Sequence, residues 1–172
     1  MDGHAITYDA AGNPPNYYNG TNWTFTWEHG RSLATATAGT THLEFTYDVD
    51  GLRTNKTVND TKHTYYYAGG TLLRETYGDT VLDFFYAGGV PYAIKYNGTL
   101  YYYITNLQGD VMSIVDAQGA VVASYNYDPY GNILTATGDL ADVNPIRYRG
   151  YVYDPETGYR HLGRDEQTHG PH

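Results

Sequence analysis

The sequence has no cysteine, and only ten lysines and arginines stand against nineteen aspartates and glutamates in 172 residues. Without thiols there can be no disulfide, no cysteine nucleophile, no thiolate zinc site and no iron–sulfur cluster. A formal net charge of −9 and a pI near 5.0 speak against nucleic acid or an anionic membrane as partner, because phosphate binding draws on Lys and Arg. No apolar run approaches the ~20 residues that span a bilayer. The start, Met1-Asp2-Gly3-His4, has neither the basic nor the apolar region of a secretory signal. Aliphatic residues are scarce as well: Leu, Ile, Val and Phe together make up less than a fifth of the chain.

What the chain has instead is tyrosine, 21 of them, with abundant Thr and 20 Gly. Counting Tyr and Trp as core material lifts the chain out of the range where disorder is expected, and only 17% of residues are charged. Tyr, Thr and Val suit a pleated, half-buried surface, while Gly and Asn supply turns with positive φ. The composition therefore points to an all-β fold with little or no helix. Leu33–Ala38 is too short and too rich in Thr to count as one.

An internal repeat sharpens this. An aromatic residue followed by a glycine turn recurs at Tyr8-Asp9-Ala10-Ala11-Gly12, Trp27-Glu28-His29-Gly30, Tyr47-Asp48-Val49-Asp50-Gly51, Tyr67-Ala68-Gly69-Gly70 and Tyr86-Ala87-Gly88-Gly89, with aromatic spacings of 19, 20, 20 and 19. Beyond residue 90 the period loosens, through Tyr96-Asn97-Gly98, Gln108-Gly109, Gln118-Gly119, Tyr127-Asp128-Pro129-Tyr130-Gly131 and Tyr153-Asp154-Pro155-Glu156-Thr157-Gly158. Alternating runs such as Leu43–Tyr47, Val81–Tyr86, Leu100–Ile104 and Val121–Tyr127 read as strands between these turns. Twenty residues hold two strands and two turns, so each repeat is one hairpin and the whole an antiparallel ribbon of consecutive β-hairpins. Within it Asp9, Gly12, Asp48, Gly51, Asp128, Gly131, Asp154 and Gly158 are structural turn residues. An Asp side chain accepts from backbone N–H groups two residues on, and Gly takes the left-handed conformation that closes the turn.

The pattern in Thr46-Tyr47-Asp48-Val49-Asp50-Gly51-Leu52-Arg53-Thr54-Asn55-Lys56-Thr57 resembles the YD repeat of the RHS family of large bacterial surface and secreted proteins. Tyr101–Val111, Asp116–Val122, Tyr125–Gly131 and Arg147–Gly158 resemble that family's repeat-associated core. The resemblance implies YD-type hairpins over residues 1–95 and an associated core over 96–160, while the Gly- and Pro-containing polar stretch 161–172 reads as a disordered tail. It implies a ribbon that spirals into a hollow shell around a C-terminal toxin or effector, in a secreted or cell-surface parent. Partners would be that cargo or the rest of the shell, with self-association possible through free strand edges. Some family members cleave their own chain through paired aspartates.

Asp154 matches the first half of that self-cleavage motif, with Arg147 and Arg149 as residues that could orient it. The second Asp-Pro-x-x-Gly is missing, and Asp165 lacks both the Pro and the spacing. Two carboxylates must share a proton for such chemistry, so the chain reads as non-enzymatic, with no catalytic residue and no cofactor expected. His161, His169 and His172 lie in a Gly- and Pro-containing polar tail and carry no metal-site expectation. The other functional class is carbohydrate binding. Trp23 and Trp27, four apart and so on one strand face, could stack on sugar rings, although core or cross-strand packing accounts for them better.

Overall fold

The computed structural model describes residues 7–161. They form one antiparallel sheet of thirteen strands in strict chain order: β1 (Asn16–Tyr18), β2 (Asn22–Glu28), β3 (Ser32–Ala38), β4 (Thr41–Tyr47), β5 (Arg53–Val58), β6 (Thr61–Ala68), β7 (Thr71–Tyr77), β8 (Thr80–Ala87), β9 (Val90–Tyr96), β10 (Thr99–Thr105), β11 (Val111–Val115), β12 (Val121–Tyr127) and β13 (Ile133–Thr137). Two short strands, β14 (Val152–Tyr153) and β15 (Arg160–His161), pair with each other. The expected all-β ribbon of hairpins is what forms, and among the described residues the one helical element is a single 3-10 turn, Tyr148–Gly150.

Because every strand runs against its neighbour, the connections alternate between two rims. The first rim carries β2–β3, β4–β5, β6–β7, β8–β9, β10–β11 and β12–β13; the second carries the others, beginning with β1–β2. The repeating aromatic now has a position. Each pairing shifts register just before it, at Trp27, Tyr47, Tyr67, Tyr86 and Tyr127, so it sits on a β-bulge beside a first-rim turn. From there a polar tip can reach back to an earlier backbone carbonyl. Tyr47 Oη donates to Leu33 O (2.9 Å), Tyr127 Oη to Val111 O (2.8 Å), and Trp27 Nε1 to Pro14 O (2.8 Å). At these three positions a ring that packs and a tip that donates favours Tyr or Trp over Phe, whereas the Tyr67 hydroxyl is buried without a hydrogen-bond partner among the described residues.

Alternation sends one face of the sheet inward. Phe84, Ile94, Tyr103, Ile114 and Tyr125 are buried on it, while residues between them face solvent. Each such side chain contributes roughly 1.5–3 kcal/mol on burial. What buries them is the chain after β13. Leu140, Ala141, Ile146 and Val152 join the cluster over β6–β12, and Tyr159 joins a second cluster with Trp23, Phe25, Leu33, Leu43 and Phe45 from β2–β4. Residues 140–161 thus run as a strap across the inner face, knitting both clusters into one unit.

The strap also shows how strongly the sheet curls. Tyr159 stacks on Tyr17 of β1 (centroids 5.0 Å apart) and packs on Phe25, whereas the next residue, Arg160, donates from Nη1 to Tyr130 O in the β12–β13 turn (3.1 Å). The first and last strands of a thirteen-stranded sheet therefore meet adjacent residues of one segment. Strand twist coils a long antiparallel ribbon in this way.

Candidate functional site

The strap is fastened at one charged point. Asp154 is 2% exposed and takes a hydrogen-bonded ion pair on each oxygen: Arg53 Nη1 donates to Oδ2 (2.6 Å) and Lys56 Nζ to Oδ1 (3.1 Å). Lys56 also reaches Glu156 Oε2 (3.0 Å). Both cations stand on β5, where the register places Lys56 opposite the buried Phe45, and the Arg53 guanidinium lies 4.4 Å over the Phe45 ring. Locally, Asp154 N–H donates to Tyr159 O and Gly158 N–H to Asp154 O, so Asp154–Tyr159 closes as a tight loop with the carboxylate aimed at the sheet. Gly158 has φ +75°, which the loop requires. The far side is fixed by Asn19, whose Nδ2 donates to Thr157 O (2.8 Å) while its Oδ1 accepts from Trp23 Nε1 (3.1 Å).

Burial works against the charges on Arg53 and Lys56, but Asp154 beside both, and Glu156 beside Lys56, more than offset it. Both cations are held protonated above their ordinary values. Against the clasp lies a small cleft of about 50 Å³, open to solvent and lined by Lys56, His63, Glu75, Arg147, Tyr153 and Glu156 among others. In it His63 Nδ1 stands 2.7 Å from the buried Glu75 Oε1, and the imidazole stacks on Tyr77. Desolvation pushes the hydroxyls of Tyr65 and Tyr67 up as well. Lys56 stands between Asp154 and Glu156, so this arrangement is a clamp of alternating charge and not two carboxylates sharing one proton.

Arg147 and Arg149, which the sequence offers either as residues to orient Asp154 or as partners of tyrosine rings, lie over tyrosines. Arg147 donates to Ala141 O (2.8 Å) and Asn144 O (3.2 Å), with its guanidinium over the rings of Tyr125 and Tyr153. It holds the strap's own first bend. Arg149 is exposed and stacks over Tyr148; its backbone N–H donates to the buried Asp110 (2.9 Å), at a φ of +51°. Trp23 is buried with its N–H bonded to Asn19, and Trp27 is half-buried with its N–H on Pro14 O. Trp23 leaves no open ring face for a sugar, because its side of β2 is the packed side. Asp165, His169 and His172 lie outside the described residues, as does the side chain of His161.

Asp9, Asp48 and Asp128 each accept from two backbone N–H groups on one oxygen, and Gly12, Gly51 and Gly131 close their turns at positive φ. Arg53, Lys56, Asn19 and the buried Asn144, which takes the Tyr103 hydroxyl (2.7 Å), went unremarked in the sequence reading. The one available sign was that Arg53 and Lys56 are two of only ten basic residues and sit in a strand otherwise made of Thr, Asn and Val. Their partner is about a hundred residues away, and no local pattern announces it.

Residues 77–169 match the family model described as Teneurin YD-shell. The tRNA3(Ser)-specific nuclease WapA of Bacillus spizizenii is 35% identical over 171 residues, and the tRNA(Glu)-specific nuclease WapA of Bacillus subtilis subsp. natto is 36% identical; each match covers 94% of this chain. The chain spans about 7% of the length of these relatives. Among solved structures, the Tc holotoxin pore of Photorhabdus luminescens with a mutated TccC3 superposes with a TM-score of 0.65 at 18% identity, covering 90% of this chain and 8% of the other, a likeness of fold. The relatives' names overturn the expectation of a non-enzymatic protein, since they are nucleases. They also limit what the acidic charge balance can exclude, because it describes this chain and not the remainder of such a protein. The family-model match, over residues 77–169, spans more than half of the chain, and the chain belongs to the Teneurin YD-shell family.

Proposed function

We propose that this chain is the closing turn of a β-shell in a toxin-related RHS protein, with residues 140–161 as the plug that seals it. The carrying observation is the strap: it fills the inner face and ties the first strands, through Tyr159 and Asn19, to the last, through Arg160. In this reading residues 1–95 supply YD-type wall and 96–160 the associated core. The cargo is a C-terminal effector held within further turns of wall, and the relatives' names favour a nuclease acting on tRNA as the activity of the whole protein. The parent is secreted or displayed at the cell surface. Charge suits the role: buried cations hold the plug, and the net acidic wall does not attract the RNA that such a cargo cuts.

Limited proteolysis of the parent tests this. An intact parent should keep its C-terminal region resistant, and deleting residues 140–161 should make it digestible. Equal digestion of both would overturn the proposal.

A further inference from the structure

The tetrapeptide Tyr-Asn-Gly-Thr occurs twice, over residues 18–21 around the β1–β2 turn and over 96–99 around the β9–β10 turn. These hold the chain's two Asn-Gly pairs, and both asparagines are exposed on the second rim. Asparagine before glycine is the context most open to deamidation. Glycine has no Cβ to shield its backbone nitrogen, so that nitrogen can reach the side-chain carbonyl carbon of the residue before it.

The two side chains are held differently. Asn97 Oδ1 accepts from Val81 N–H (2.7 Å), and no acceptor among the described residues meets its Nδ2. At Asn19 both ends are engaged: Oδ1 accepts from Trp23 Nε1 (3.1 Å) and Thr21 N–H (3.3 Å), while Nδ2 donates to Thr157 O of the strap (2.8 Å). Gly158 packs against the same amide, since a Cβ there would stand 3.9 Å from Asn19 Nδ2. Nδ2 is the atom that deamidation expels. Only at Asn19 does the strap hold the leaving group.

We infer that Asn19 is a spontaneous deamidation site which the docked strap keeps intact, and whose conversion to aspartate or isoaspartate bars an opened strap from docking again. In the step itself the Gly20 nitrogen gives its proton to solvent and bonds to Asn19 Cγ. The Cγ–Nδ2 bond breaks, and Nδ2 leaves as ammonia with a proton taken from water. A second water opens the cyclic imide at either carbonyl, giving aspartate or isoaspartate; nothing is oxidised or reduced. The new carboxylate only accepts. It can still take the N–H groups of Trp23 and Thr21, but toward Thr157 O it presents an oxygen where a donor stood. The change is therefore one-sided: it keeps the β1–β2 turn's own bonds and breaks the one to the strap.

Peptide mapping by mass spectrometry, after incubating the 172-residue chain at mildly alkaline pH, tests this with Asn97 as internal reference. In urea the two identical tetrapeptides should deamidate alike. In the folded chain the slowing relative to urea should be several-fold greater at Asn19 than at Asn97. Loosening the strap by Asp154→Asn or Gly158→Ala should erase that excess and leave the Asn97 rate unchanged, and the unchanged Asn97 rate identifies a variant that remains folded. Equal slowing at both sites of the folded unmodified chain would overturn the inference, as would an excess that survives in a folded variant. A second readout needs no deamidation. Asn19→Asp should raise tryptic cleavage after the buried Arg160 several-fold, whereas Asn97→Asp should leave it unchanged; equal resistance of the two would show that modification does not bar the strap.

Discussion

Asp128-Pro129 and Asp154-Pro155 begin two segments that look alike in sequence and behave as opposites. Asp128 stays at the surface, one oxygen accepting from the N–H groups of Tyr130 and Asn132 (2.8 Å each), and shapes a turn from within. Asp154 turns away from its own loop and is buried between Arg53 and Lys56, on a strand about a hundred residues earlier. The first is a local device; the second is tertiary. Asp-Pro followed by Gly encodes a bend, and the bend decides only where the backbone goes, leaving the carboxylate free for whichever neighbour the fold supplies.

Replacing Asp154 should separate the two most sharply. Asp154→Ala takes the carboxylate from between two buried cations, leaving Lys56 with Glu156 alone, and should cost about 3–5 kcal/mol, read as a shift in the urea midpoint. If Asp154→Ala were no worse than Asp128→Ala, the distinction would collapse. Next in size is the glycine that closes each turn. Gly51 and Gly131 have nearly the same φ, +78° and +85°, but a Cβ at Gly51 meets nothing, whereas at Gly131 it would run into Arg160 and the Tyr148 ring. Gly131→Ala should therefore destabilise by roughly 1–3 kcal/mol more than Gly51→Ala, and equal losses would mean that the strap does not press on the turn.

Alkaline titration addresses the clasp side again. Lys56 is held above its ordinary value, and burial raises the hydroxyls of Tyr65, Tyr103, Tyr125 and Tyr159, with Tyr17 pushed up to about 12. A group whose folded pKa is raised favours the fold below its unfolded pKa and ceases to as pH climbs through the folded one. Stability should thus hold to about pH 10 and fall above it, with the tyrosinate absorbance of the buried rings appearing together with unfolding. Ionisation of all 21 tyrosines in one step ahead of unfolding would contradict this burial. The smallest effect belongs to the turn. Desolvation opposes it, but the bonds from Asn132, Tyr130 and Gly131 keep Asp128 below the usual carboxylate range. Asp128→Ala should lower the melting temperature slightly at neutral pH, and that difference should vanish as pH falls through the depressed Asp128 pKa.

Much of the fold was legible because its signals are short-range. The 20-residue aromatic period, the Asp-x-x-Gly turns and strand alternation each act within a few residues, and together they yield consecutive hairpins. The site was less legible. Asp154 stood out by its motif, but Arg147 and Arg149, nearest in sequence, are occupied by the strap's own carbonyls and by aromatic rings. Trp23 could be read as a sugar platform or as core, and alternation puts it on the inner side with Phe25.

Local chemistry fixes the repeating unit: a hairpin with a turn closed by its own Gly and, after Tyr8, Tyr47 and Tyr127, shaped by its own Asp. Long-range packing selects which turns are pressed by the strap and which Asp becomes a buried clasp. The reason is range. Turn hydrogen bonds are made within four residues, whereas the clasp depends on how far thirteen twisted strands coil before residues 154 and 53 arrive at the same place.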